Sequence, residues 1–396
     1  MRRSHIIVLI ALCAAVASSI GLTVNIAGLF ITPMSEALGV GRGSVSLTMT
    51  INNLVSAVGG MLFPKLVGEK NFKKFMTTGA ATIAITTFLH AFCSRLWMLY
   101  ALSVLRGFSI GILGTVMASI LVNNWFHSHN GLVTSLVLGF TGVSGALLSP
   151  LFSHIITTFG WREGFIAAAV LNAVLSLPMI LSRVGLTPES VGEITYGETV
   201  KSSEYTMPPS KKRISPRLFA LCCVYAICTG TITSVVQHFP GVAGSYALPA
   251  SVGALMISAG MVTNTLGKLI LGEMIDHIGI LKSVLIYASL IAVGLLSLLF
   301  VHTGFAMIAA AALYGLAFSL ATVGNVMIVR ERFGAANFGA VYSKVAVFNT
   351  VFFALGSSAI GYAYDYLHSY TTVLRVVLVF LAGLVIMVLA AYSKED

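Results

Sequence analysis

Three cationic side chains, Arg106, Lys268 and Lys344, lie where the sequence is otherwise apolar. Each falls inside a run long enough to cross a bilayer, which takes about 20 mostly apolar residues. A charge in that position costs at least about 2.5–3.5 kcal/mol on insertion scales. The thirteen acids offer no compensation. Glu36, Glu69, Glu163, Glu189, Glu193, Glu198, Glu204, Glu273, Asp276, Glu331, Asp365, Glu395 and Asp396 all fall in loops, at termini or in the last turn of a run. Cations without a membrane-level carboxylate need water or a bound anion. Three of them facing one cavity would form an electrostatic trap for a carboxylate or a phosphate. A structural alternative stands beside this. Lys268 and Lys344 are long enough to snorkel toward headgroups, and Arg106 can hydrogen-bond across helices and lock their packing.

Neutral polar residues accompany the cations. Asn264 lies four residues before Lys268, on the same helical face, and can orient its ammonium or a ligand. Tyr342, two residues before Lys344, and Tyr314 offer hydroxyls. Asn25, Asn52, Asn325 and Asn349 also lie within apolar runs, where interhelical hydrogen bonds are the more common use. His90, His154, His238, His302 and His368 fall near one end of their runs and read as interfacial, while His127 and His129 flank a loop. There is no H-E-x-x-H, P-loop or G-x-S-x-G pattern. The reading therefore expects no enzyme, no metal and no cofactor. Cys13, Cys93, Cys222, Cys223 and Cys228 all lie in apolar segments without ligand spacing and read as small packing residues.

The elements that must hold these groups follow from composition. Of 396 residues, 57% are hydrophobic and 9% charged, against roughly a quarter charged in soluble domains. A water-exposed surface cannot be built from this set, so a soluble enzyme, a disulfide scaffold and a disordered chain are excluded. Apolar runs near 6–32, 43–66, 75–94, 96–123, 131–158, 164–182, 218–240, 249–273, 283–302, 305–329, 337–364 and 371–393 give twelve expected spans. The first begins like a secretory signal, but its apolar stretch continues to Ile31 and reads as a retained span.

The net charge of +10 is not spread as a nucleic-acid surface would be. With the N-terminus in the cytoplasm, sixteen Lys and Arg residues fall in inside loops and four outside, which places both termini inside. A polar, Pro- and Ser-containing stretch reads as a cytoplasmic linker. The expected domains are therefore 1–182 and 217–396, joined by 183–216. The halves echo each other. Arg106-Gly107 precedes Tyr314-Gly315 by 208 residues, Gly131 precedes Gly339 by the same offset, and so does Phe140 precede Phe348. Gly60 precedes Gly267 by 207.

Twelve spans in two six-helix repeats around a central linker resemble the major facilitator superfamily. The run G267-K-L-I-L-G272-E-M-I-D276-H-I-G279 is similar to that superfamily's loop signature, with Gly267, Gly272, Asp276 and Gly279 at its marked positions. The equivalent loop of the first half, from Gly60 to Lys74, keeps the basic end and lacks the Asp. L102-S-V-L-R106 with Gly111 resembles the span-4 arginine motif. N124-W-F-H-S-H-N-G131, F159-G-W-R-E163 and A336-N-F-G339 resemble the oxalate/formate antiporter and monocarboxylate transporter families, although Asn130 stands where those usually carry a basic residue. The acidic, glycine-rich span-1 motif of monocarboxylate transporters is missing from S19-I-G-L-T-V-N-I-A-G28.

The resemblance implies an all-α polytopic membrane protein with the major facilitator fold. It also implies a secondary transporter that moves a small mono- or dicarboxylate by alternating access. Oxalate/formate antiporters place a basic residue in span 8 and a Lys in span 11 on substrate carboxylates, which Lys268 and Lys344 match by charge. Lys in place of Arg exchanges a bidentate fork for a point charge, so oxalate itself is not indicated. Anion exchange and proton-linked symport both stay open. The alternative is a multidrug or amphiphile efflux transporter of the same superfamily. The expected partners are an organic anion, a co- or counter-transported ion and the lipid bilayer of the cell membrane. No nucleic acid is expected, and the chain reads as a monomer.

Overall fold

The computed structural model describes residues 3–128, 130–197 and 215–393, excepting the side chains of 130, 131, 335, 336, 339 and 340. His129, the linker residues 198–214 and the chain ends therefore lie outside the described residues. The elements are almost all helical. They are α1 (Arg3–Val16), a π-helix (Ala17–Asn25), α2 (Gly28–Leu38), α3 (Arg42–Leu66), α4 (Phe72–His90), α5 (Leu96–Leu113), α6 (Thr115–Trp125), α7 (Asn130–Phe159) and α8 (Trp161–Leu181). After the linker come α9 (Pro216–Ser234), α10 (Phe239–Ser245), α11 (Ala250–Ile278), α12 (Ile280–Phe300), α13 (Gly304–Gly315), α14 (Ala317–Ser319), α15 (Asn325–Leu367) and α16 (Tyr370–Tyr392). Within α15 the backbone leaves the helix at Gly334, where φ is 71°. The segment therefore carries the end of one span and the whole of the next.

Among the described residues, eleven helices are long and apolar enough to cross a membrane. The twelfth expected span corresponds to α4, whose 19 residues make a rod of about 28 Å. Lys73, Lys74 and five threonines dilute its apolar content, which is why it does not stand with the other eleven. Its threonines turn their hydroxyls onto their own helix, as Thr82 does to Thr78 O at 2.8 Å and Thr86 to Thr82 O at 2.6 Å. That internal satisfaction makes a threonine-rich helix tolerable in lipid.

The chain divides into two compact units, one of Met1–Val40 with Leu47–Ser202, the other of Gly41–Ser46 with Ser203–Asp396. In the first unit, α1 is buried through Val8, Ala11, Leu12 and Val16 against α7 and α8. Where α1 passes into the π-helix, side chains hold it in place. Ser18 donates to Asn172 Oδ1 at 2.8 Å and Asn25 Nδ2 to Thr141 O at 2.7 Å.

The segment expected to be a cytoplasmic linker is described over residues 183–197 and from 215 onward. Residues 183–197 fold back onto the first unit. Trp125 Nε1 donates to Gly185 O at 3.0 Å, Asn124 Nδ2 to Leu186 O at 2.9 Å, and Tyr196 N to Trp125 O at 2.9 Å. His5 joins by bonding Ile194 O through Nε2 at 2.9 Å. The Trp-Phe pair of the 124–131 motif is thus the anchor of a strap.

In the second unit, α15 packs along α9 and α11 along α13. Asn349 Nδ2 donates to Thr229 Oγ1 at 2.9 Å, and Asn325 Nδ2 to Ala321 O at 2.8 Å beside the π-helix Leu320–Gly324. Asp365 accepts from the backbone N–H groups of Arg42 at 2.8 Å and Gly43 at 2.7 Å, capping the first turn of α3. The guanidinium of Arg42 lies 4.2 Å from the Tyr364 ring centre and donates to Tyr370 Oη at 3.2 Å.

The two units repeat one crossing. A methyl group on Gly107 would stand 2.5 Å from Asn52 O, so α5 touches α3 backbone to backbone. A methyl group on Gly315 would collide with Gly260 O in the same way, where α13 crosses α11. Gly107 and Gly315 are 208 residues apart, and so are Asn52 and Gly260. The sequence offset is therefore a structural equivalence, with small residues letting helices approach closely.

Candidate substrate site

Arg106 sits on the repeated crossing in the first unit. It is 6% exposed, and its Nε donates to Asn52 Oδ1 at 3.3 Å. Asn52 brings its amide to that spot because Gly107, next to Arg106, removes any side chain from between α3 and α5. The two terminal guanidinium nitrogens have no hydrogen-bond partner among the described residues. One bond thus orients the group, and four N–H donors remain to be satisfied.

In the second unit, Lys268 is half-buried on α11 and makes no hydrogen bond or ion pair among the described residues. One turn earlier on the same face stands Asn264, 5% exposed, whose Oδ1 is buried without a partner. Gly267, immediately before Lys268, is taken up by packing. It lies against Leu316 and Ser319, and its carbonyl accepts from Tyr287 Oη at 2.7 Å. Lys268 and Asn264 are thereby left as the open polar pair on this stretch of α11.

Lys344 is exposed on α15 and likewise has no partner among the described residues. Phe353, which packs against Gly230 of α9, lies nine residues on, two and a half turns away. Lys344 therefore points away from α9. Tyr362 lies five turns along the same face and covers Gly43. Tyr342 is half-buried, its ring stacked on Phe338 at 5.2 Å.

Tyr314 departs from expectation. It is 0% exposed, its hydroxyl donates to Ile232 O at 2.7 Å, and its ring meets Phe239 edge-on at 5.7 Å. The hydroxyl offered to a substrate by the sequence reading is spent on a backbone carbonyl of α9. Its register with Arg106 marks the repeat and not a shared ligand.

The loop motif divides by role. Gly279 has a φ of 82°, the left-handed backbone that turns α11 into α12 and that side chains resist. Gly272 has open space around it. Asp276 is exposed, with no partner among the described residues, while Glu273 pairs with His277 at 2.9 Å on the exposed face of α11.

Two histidines were misplaced by the sequence reading. His90 and His238 are each 1% exposed, enclosed by protein and not at an interface. His90 stacks on Phe165 at 5.3 Å, and His238 bonds Ser357 O through Nε2 at 2.8 Å. A signal was present for the first: Thr82, Thr86 and His90 follow at intervals of four on one helix, a polar face that runs to the last residue of α4.

The Major Facilitator Superfamily model matches residues 8–244 of this chain, more than half of its length. The chain belongs to the major facilitator superfamily. This facilitator is 22% identical over 322 residues to YhjX of Escherichia coli strain K12, described as an uncharacterized MFS-type transporter, with 79% of this chain and 78% of that one covered. Its fold is similar to solved structures of the nucleoside transporter NupG. One, of a point mutant, has a TM-score of 0.77 with 13% identity and covers 98% of this chain and 100% of that one. A second has a TM-score of 0.74 with 13% identity and full coverage of both chains. The facilitator is a multi-pass membrane transporter, not an enzyme.

Proposed function

We propose that this transporter moves a small organic anion, a mono- or dicarboxylate, across the cell membrane by alternating access, with both termini in the cytoplasm. The observation that carries the reading is Lys268. It is a half-buried ammonium in a 29-residue membrane helix with no counter-charge among the described residues. Asn264 beside it holds an unsatisfied oxygen. A buried cation without an acid is costly, and an anionic substrate supplies the missing charge. Arg106 and Lys344 extend the same chemistry, and Tyr342 lies two residues before Lys344 on α15. Two lysines present point charges, which suit a carboxylate of varied shape more than a rigid bidentate partner. Asp276, with Gly267, Gly272 and Gly279, would act in gating and not in binding.

The test is uptake by purified protein in proteoliposomes, with labelled lactate, pyruvate, formate, oxalate and an organophosphate, and with a nucleoside and a lipophilic cation as contrasts. Uptake of one or more carboxylates, competed by unlabelled anion, is expected. Uptake of only the nucleoside or the lipophilic cation would overturn the reading.

A further inference from the structure

Two membrane-spanning helices of the first unit leave an open groove between them. Ile7 and Ile10 of α1 form one wall and Val174, Leu177, Pro178 and Leu181 of α8 the other, around about 580 Å³ of space. Ile10, Val174 and Leu181 are each more than half exposed. Both helices are long and apolar enough to cross a membrane. The medium that these side chains meet is therefore hydrocarbon and not water. A groove of that lining fits an acyl chain.

One end of the groove is positively charged. Arg3, Ile7 and Ile10 follow at intervals of four and three, on one face of α1. On the opposite wall Ser182 closes the groove, and Arg183 follows it. Both arginines are exposed, and neither has an ion pair or a side-chain hydrogen bond among the described residues. The strap of residues 183–197 fixes the backbone at both. Beside Arg3, Ser4 Oγ donates to Glu193 Oε2 at 3.1 Å and His5 Nε2 bonds Ile194 O. Glu193 is thus spent on a hydroxyl and not on an arginine. Beside Arg183, Val184 is buried and Gly185 O accepts from Trp125. Lys73 brings a third cation to this end, its Nζ donating to Met179 O at 2.7 Å and to Ser182 O.

We propose that this groove binds one anionic phospholipid, with an acyl chain between α1 and α8 and the phosphate at the end that Arg3 and Arg183 flank. The side chains divide the work by depth. The isoleucines, Val174 and the leucines take the chain, and each guanidinium offers a planar fork that matches phosphate oxygens. A headgroup of net negative charge gains from both arginines. A zwitterionic one carries its own ammonium to the same place and gains less. The lipid joins the first turn of α1 to the last turn of α8, the same two places that the strap joins through protein.

The experiment uses purified full-length protein, delipidated in detergent, with bound lipid counted by native mass spectrometry. It is titrated with phosphatidylglycerol or with phosphatidylcholine of the same acyl chains. The wild type should bind one phosphatidylglycerol roughly 30-fold more tightly than phosphatidylcholine, at about fivefold for each arginine near an anionic headgroup. The double variant Arg3→Gln, Arg183→Gln should lose this preference. Val174→Trp fills the groove away from the arginines and should weaken both lipids at least about fivefold, the loss of a few buried methylenes. Equal affinity of the wild type for the two lipids, or an undiminished preference in the double variant, would overturn the proposal. Displacement of the lipid from the wild type by glycerol phosphate, which has the charge and no chain, would overturn it as well. So would a dimer mass that Val174→Trp abolishes, because a second copy of the chain would then own this face. Should a variant not fold, the two wild-type comparisons decide the matter.

Discussion

At the scale of single residues, the cations differ in what they give to the fold, and substitutions should separate those parts. Lys268 and Lys344 make no bond among the described residues. Lys268→Gln and Lys344→Gln should each weaken anion binding by at least about 1.5 kcal/mol, the lower range for a hydrogen bond to a charged group. Thermal unfolding in detergent should be unchanged or later, since a costly charge has gone. Calorimetric titration with the transported anion checks the first part, and wild-type affinity in both variants would return the lysines to a snorkelling role. Tyr314 should behave in the opposite way. Tyr314→Phe removes only the bond to Ile232 O. It should lower stability by about 1 kcal/mol and leave the anion affinity unchanged. A fall in affinity at equal stability would put that hydroxyl back on the substrate.

At the scale of helices, the repeated crossing makes a prediction for two sites at once. Gly107→Ala and Gly315→Ala each drive a methyl group against a backbone carbonyl of the facing helix, which cannot rotate aside. Each should cost about 1–3 kcal/mol, as overpacking does, read as an earlier thermal transition. Equal stability of either variant with the parent would mean that the helices are not in backbone contact there. This crossing was legible as an offset of 208 residues between like residues, because close helix approach leaves glycine as its trace. The twelve helices were legible for a similar reason, since a bilayer demands long apolar runs wherever backbone must be self-satisfied. The strap was not. Residues 183–197 are polar and irregular, and what docks them is a set of backbone carbonyls that sequence does not display. Trp125 reads as one more apolar residue until its Nε1 is seen on Gly185 O. Trp125→Phe keeps the ring and loses that donor, so limited proteolysis within 183–197 should become several-fold faster while the helices stay intact. Unchanged cleavage would mean that the other strap bonds suffice. The candidate site was legible for the cations, because charge in an apolar run stands out. The burial of His90 was missed, because distance from a span end says nothing of which face a helix buries.

At the scale of the whole molecule, the charge ledger constrains how transport responds to voltage. The chain carries a net +10, yet its acids stay out of the apolar runs and its three membrane-level cations stand without carboxylates. A cycle in which the anion crossed alone would move one net charge through the bilayer. Moving one elementary charge across 100 mV is worth about 2.3 kcal/mol, or roughly 50-fold in an accumulation ratio. Both modes of transport considered for this chain avoid that expense, since like anions exchange one for one and a carboxylate crossing with one proton is neutral. Carboxylate accumulation in proteoliposomes should therefore change by less than about twofold when a potassium gradient with valinomycin imposes 100 mV of either sign. A change approaching 50-fold would show that a net charge crosses in each cycle. It would mean that the anion crosses with neither a proton nor a counter-anion, and both the exchange and the proton-coupled cycles would have to be abandoned for uniport.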